Sequence, residues 1–121
     1  MTNKACILSI AGPSLHEEEA ALYADQKPWG VILMGRSCHD RDQVRRCVDD
    51  IWEAVGREIL IFIDQEGGRV ARLKSPEWPI FPPGVVYGEL YDRDPELGLE
   101  AIWLGHRLIA HELAALNIHA D

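Results

Sequence analysis

The chain has 121 residues, 47% of them hydrophobic and 26% charged, which fits one folded domain and argues against intrinsic disorder. Its formal net charge of −8 argues against nucleic acid or an anionic membrane as partner, since both are recognised through basic surfaces; a neutral or cationic ligand fits better. No apolar run approaches the roughly 20 residues needed to span a bilayer, so a soluble chain is expected.

The first apolar run, ACILSIAG at residues 5–12, follows Lys4 and ends at Gly12 and Pro13. It is too short for an export signal and lacks a small-residue cleavage site, so it reads as a first strand. Ser14 and Glu17 have capping-box spacing for a helix through about Gln26, and Glu17, Glu18 and Glu19 lie where the helix dipole favours negative charge. WGVILM at 29–34 is a second buried strand. Asp40 caps a second helix, along which Val44, Val48, Ile51, Trp52 and Val55 recur at helical spacing until Gly56 stops it.

Residues 59–72, ILIFIDQEGGRVAR, hold the densest information. Ile59 to Ile63 show no polar alternation, as expected of a strand buried on both faces of a parallel sheet. Beyond them, Pro76, Pro79, Pro82 and Pro83 exclude regular structure and predict an ordered or lid-like loop. Asp94 and Pro95 open a long helix to about Leu116, with Leu97, Ile102, Leu104, Leu108, Ile109, Leu113 and Leu116 forming a broad apolar face. Residues 118–121 read as the start of another strand. The alternation of strand and helix, without a hairpin signal or a second domain boundary, predicts an α/β fold with βαβ units and a parallel sheet. The chain is expected to stop inside its domain, supplying somewhat under half of the about 250 residues of a (β/α)8 barrel.

Open α/β sheets and barrels place ligand chemistry at the carboxyl ends of their strands, which is where Asp64 falls. Its carboxylate is suited to accept hydrogen bonds from ligand hydroxyls, with helix capping or loop bracing as the plainer alternative. Gly67 and Gly68 allow a sharp turn, and in a helical turn after them Arg69 and Arg72 could share one side, reaching a ligand or a neighbouring acid such as Glu66. Cys6, Cys38 and Cys47 lack CxxC spacing and read as reduced, structural thiols of a cytoplasmic protein. His111 and Glu112 invite comparison with the zinc motif HExxH, but residue 115 is Ala, so no metal site is expected. No cofactor is indicated. Trp29, Trp52, Trp78 and Trp103 read mostly as core, although Trp78 in the proline-rich loop could stack on a ligand face.

The stretch DQEGGRVARL, the preceding WGVILMGR, the PPG at 82–84 and the later LGHRLIAHELAALNI resemble, in that order and over nearly the whole chain, the amino-terminal part of glycoside hydrolase family 3 in its bacterial β-N-acetylhexosaminidase branch. DQEGGRV carries most of the specificity. The resemblance implies a TIM-like barrel, a substrate containing N-acetylglucosamine, and removal of that terminal β-linked sugar from peptidoglycan fragments during muropeptide recycling in the cytoplasm. It places a sugar-hydroxyl holder at Asp64 and a second residue of the same subsite at Arg72. Neither is catalytic in the family, and residues 1–121 contain none of its nucleophile, acid/base or Lys-His motifs, so the chain alone is expected to be inactive. The family favours an aromatic residue or Ala where Met34 and Gly35 stand here. Two other readings remain open: a non-catalytic sugar-binding or scaffold module, and a fragment of a family 3 β-glucosidase. The oligomeric state is not set by the sequence.

Overall fold

The computed structural model describes residues 2–121. Its centre is a parallel sheet of β1 (Lys4–Ser9), β2 (Pro28–Leu33) and β3 (Leu60–Ile63), in the order β1-β2-β3. The crossovers are the helices α1 (Glu17–Gln26) and α2 (Arg41–Val55). Ile7 pairs with Gly30 and Gly30 with Leu60; Ser9 pairs with Ile32 and Ile32 with Phe62. Near its end the chain returns to the free edge of β3. There Ala120 bridges Phe62 in parallel, Ile63 N–H donates to the Ala120 carbonyl at 3.1 Å, and His119 N–H donates to the Ile61 carbonyl at 2.8 Å. The strand start expected at 118–121 is therefore present, and each new strand joins on the same side of the last.

Val31, Leu33, Ile61 and Ile63 alternate onto one sheet face and share a buried cluster with Val44, Cys47, Val48 and Ile51 of α2 and Tyr23 of α1. Burying side chains of this size contributes on the order of 1.5–3 kcal/mol each before chain entropy is subtracted. On the other face Ile32, Leu60 and Phe62 are half-buried, and Ile7 is exposed. The expectation of burial on both faces thus holds for one face only. Helix α2 starts and stops as the sequence predicts: the Asp40 carboxylate accepts from Gln43 N–H at 2.8 Å, and Gly56 adopts φ 78°.

Four further expectations need correction. The helix α1 is capped at His16 rather than Ser14, because the Glu19 carboxylate accepts from both His16 N–H (3.1 Å) and Ala11 N–H (2.8 Å), serving helix start and preceding loop together. The proline-rich segment is followed at once by a further helix, α3 (Gly84–Arg93), which Val85, Val86 and Gly88 conceal because their intrinsic helix propensity is poor. Packing supplies what propensity lacks. Helix α4 (Pro95–Ala114) lies so close to α3 that a Cβ on Gly98 would fall 2.5 Å from Tyr91 Cα, and one on Gly105 2.1 Å from the Tyr87 hydroxyl.

The broad apolar face of α4 is the third correction. Ile109 and Leu113 enter the core with Leu116, which follows the helix, whereas Leu97, Ile102, Leu104 and Leu108 stay exposed because the first half of the helix packs on α3 through its glycines instead of on the sheet. Fourth, Trp29 and Trp103 are 47% and 67% exposed, and so are not core residues.

Burial pushes the thiols of Cys38 and Cys47 up to about 12, with further like-charge contributions from neighbours; Arg72 opposes the shift at Cys38. A folded-state value above the ordinary 9.0 means that the native state holds these protons more tightly than the unfolded chain. Their contribution to stability should be complete below pH 9 and fade as pH rises toward 12. Denaturant melts across that range should show the loss, and at pH 8 a thiol reagent should modify Cys6 well before Cys47, which is 1% exposed. Equal rates for the two thiols would contradict this packing.

Candidate functional site

β3 ends at Ile63, and the chain folds directly into a hairpin of β4 (Gln65–Gly67) and β5 (Val70–Ala71), not the helical turn that the paired glycines suggested. Gly67 and Gly68 make the reversal at φ 85° and 58°, both left-handed. Space constrains them as much as torsion. A Cβ on Gly67 would lie 2.2 Å from the Pro82 carbonyl oxygen and one on Gly68 2.7 Å from Pro83 Cβ, while Gly68 N–H donates to the Phe81 carbonyl at 3.0 Å. The hairpin is thereby pressed against the proline-rich segment.

Asp64 stands between strand and hairpin, and Arg72 follows β5. The Arg72 guanidinium donates from Nη2 to Asp64 Oδ2 at 2.7 Å, with side chains 27% and 38% exposed. Both residues singled out in the sequence therefore meet, and Arg72 chooses Asp64 over Glu66. At this exposure an ion pair contributes about 0–1 kcal/mol to stability, too little for the pair to be a main support of the fold. Asp64 Oδ1 has no hydrogen-bond partner among the described residues, and Arg72 Nε is buried without one. The Arg69 side chain is exposed and has no ion pair or hydrogen bond among the described residues.

Three residues at this edge were not singled out in the sequence. Gln65 is 2% exposed; its Oε1 accepts from Arg72 N–H and Leu73 N–H, both at 2.9 Å, and its Nε2 donates to the Leu73 carbonyl at 3.0 Å. Asp121 Oδ1 accepts from Gln65 N–H at 2.7 Å, tying the start of the next strand to the end of β3. Arg36 donates to the Ile10 carbonyl (3.1 Å) and to Ser9 Oγ (3.2 Å), closing the carboxyl end of β1 against that of β2. Nothing in the local pattern marks Gln65, since glutamine is ordinarily a surface residue. Gly35 also borders the site: a Cβ there would meet Arg72 Cδ at 3.9 Å, an ordinary contact.

Trp78 is not a stacking platform. It is 3% exposed, packed in the core, with the Arg41 guanidinium 5.6 Å from its ring centre. Arg41 also donates to the Glu77 carbonyl at 3.1 Å and pairs with Glu112 at 2.6 Å, so it fastens the proline-rich segment between α2 and α4. Glu112 is thus an ion-pair partner, and among the described residues no group of three or more His, Cys, Asp or Glu is placed to hold a metal ion.

No protein-family model matches the chain. Curated relatives do: the β-hexosaminidase of Bordetella avium (strain 197N) is 32% identical over 112 residues, covering 93% of this chain and 32% of that protein. The β-hexosaminidase of Tolumonas auensis is 34% identical over 108 residues, covering 88% of this chain and 32% of that protein. Among solved structures, NagZ of Neisseria gonorrhoeae in complex with N-trifluoroacetyl-D-glucosamine superposes with a TM-score of 0.88 at 29% identity, over 96% of this chain and 34% of that one. A glycoside hydrolase family 3 β-N-acetylglucosaminidase from a Paenibacillus species gives 0.78 at 25% identity, over 93% and 21%. The chain belongs to the hexosaminidase branch of glycoside hydrolase family 3. It spans about a third of the length of the curated relatives it matches.

Within this family 3 chain the glycine pair should be intolerant of substitution. Gly67→Ala forces a methyl group into the Pro82 carbonyl at a left-handed torsion, and should cost about 2 kcal/mol or more, read as a lowered midpoint in urea. Gly56→Ala, where a Cβ meets nothing within 4 Å, carries the torsional penalty alone and should cost less. Equal losses would show that the Pro82 contact is unimportant.

Proposed function

We propose that this chain supplies the sugar-holding wall of a β-N-acetylhexosaminidase that removes terminal β-linked N-acetylglucosamine from peptidoglycan fragments in the cytoplasm. The observation that carries this reading is the Asp64–Arg72 pair: two opposite charges, each half accessible, at the carboxyl end of β3, with one carboxylate oxygen and guanidinium donors unspent. Such a pair matches the adjacent hydroxyls of a pyranose ring, which both give and accept hydrogen bonds. Asp64 accepts from them and Arg72 donates to them, and charge makes each bond about twice as strong as a neutral one. The names of the relatives favour N-acetylglucosamine over glucose.

The remaining architecture is proposed to be that of a (β/α)8 barrel. Support comes from the parallel order, from the addition of every strand on the same side, and from the half-covered face of Ile32, Leu60 and Phe62, which suits a barrel interior. Retaining glycoside hydrolysis needs a nucleophilic carboxylate and a proton donor about 5–5.5 Å apart across the scissile bond. Asp64, already paired with Arg72, holds substrate, and no residue of this chain is assigned either catalytic role.

The purified 121-residue chain should therefore release no nitrophenol from a nitrophenyl N-acetylglucosaminide. N-acetylglucosamine should raise its thermal midpoint, and Asp64→Ala or Arg72→Ala should weaken that binding at least tenfold, the loss of about 1.5–3 kcal/mol expected for a charged hydrogen bond. Hydrolysis by the chain alone would overturn the assignment of no catalytic group. Sugar-independent melting of the wild-type chain would overturn the assignment of the wall.

A further inference from the structure

The hairpin that presents Arg72 is too small to hold itself. β4 and β5 contribute three and two residues, pair only at Gln65 with Ala71 and Gly67 with Val70, and shift register between those pairs. A two-stranded ribbon is marginal in water even when it is longer and regular. Something else must fix the place where Arg72 leaves the backbone, because a guanidinium on a flexible stem meets Asp64 at 2.7 Å only if its root is set.

We infer that Gln65 is the positioning residue of the site, acting through Arg72 and without touching the sugar. Its side chain lies opposite in direction to that of its neighbour Asp64: Asp64 is accessible, Gln65 2% exposed. The buried amide is used at both ends. Oε1 takes the N–H groups of Arg72 and Leu73 and Nε2 gives to the Leu73 carbonyl, so the amide has one orientation and the backbone of residues 72 and 73 one position relative to it. The Gln65 backbone N–H is in turn fixed by Asp121 Oδ1 at 2.7 Å. One residue therefore ties together the chain neighbour of the carboxylate, the backbone of the guanidinium and the next strand. An apolar side chain would fill the same space, yet it would leave two N–H groups and one carbonyl without partners.

This inference rests on the reading of Asp64 and Arg72 as sugar holders, and two separate readouts distinguish its failure from the failure of that reading. The first is the Arg72 Nε–Hε resonance in 15N-labelled protein, with Asp64→Asn defining its unpaired position. The second is the dissociation constant for N-acetylglucosamine. Gln65→Met should move the Arg72 resonance toward its Asp64→Asn position and weaken sugar binding at least tenfold. Val48→Ala, a deletion in the core of α2, should lower the melting temperature while leaving both readouts unchanged, which separates positioning from general stability.

Should Gln65→Met not fold, Gln65→Asn carries the same test, since it keeps a buried amide but is one methylene too short to span to both N–H groups. A folded Met or Asn variant with the wild-type resonance and the wild-type dissociation constant would overturn the inference. If the wild-type chain binds no N-acetylglucosamine, the sugar reading falls, and the Arg72 resonance alone still decides the role of Gln65.

Discussion

Everything at the candidate site depends on one constraint: Val31, Leu33, Ile61 and Ile63 must be taken out of water on the same side of a parallel sheet. Covering them requires α1 and α2 to cross from the end of one strand to the beginning of the next, and that crossover fixes β1, β2 and β3 in one direction. Their carboxyl ends then line up along a single edge. Ser9, Gly35, Asp64 and Asp121 are brought together by hydrophobic burial that involves none of them.

That edge is finished by polar groups acting on backbone. Arg36 joins the ends of β1 and β2, Gln65 holds the exit of the hairpin, and Asp121 takes the amide that opens it. Each bond satisfies a carbonyl or N–H left over where a ladder stops, and each leaves the ion pair of Asp64 and Arg72 at the accessible end. The division of labour is physical: buried amides and carbonyls set position, and the half-exposed charges keep capacity for a ligand. Those charges keep that capacity because the fold does not depend on them.

Much of this was legible in the sequence where local chemistry decides. The apolar runs, the Asp40 and Asp94 caps and the Gly56 stop all speak through near neighbours. So does the placement of Asp64, which follows from its position after an apolar run. What stayed hidden depends on distant partners. Helix α3 owes its existence to the close approach of Gly98 and Gly105 on α4, and its own Val85, Val86 and Gly88 point the other way. The exposed leucines of α4 have helical spacing, but spacing cannot say which neighbour a helix selects. Trp78 looked available because it sits among prolines, and Arg41, far away in the chain, closes it in. Gln65 carries no local signal at all, since its three side-chain bonds exist only once β5 has turned back over it.

The reach of the clamp has a kinetic side. Asp64, Gln65, Arg72 and Leu73 are separated by only seven or eight residues across each bond. Closing a loop of that size takes on the order of 10–100 ns and little entropy. The contact of Gln65 with Asp121, by contrast, spans 56 residues. The short-range bonds of the turn can therefore form and break many times before Asp121 arrives, and that long-range contact is what lets a ribbon of only five residues stay closed.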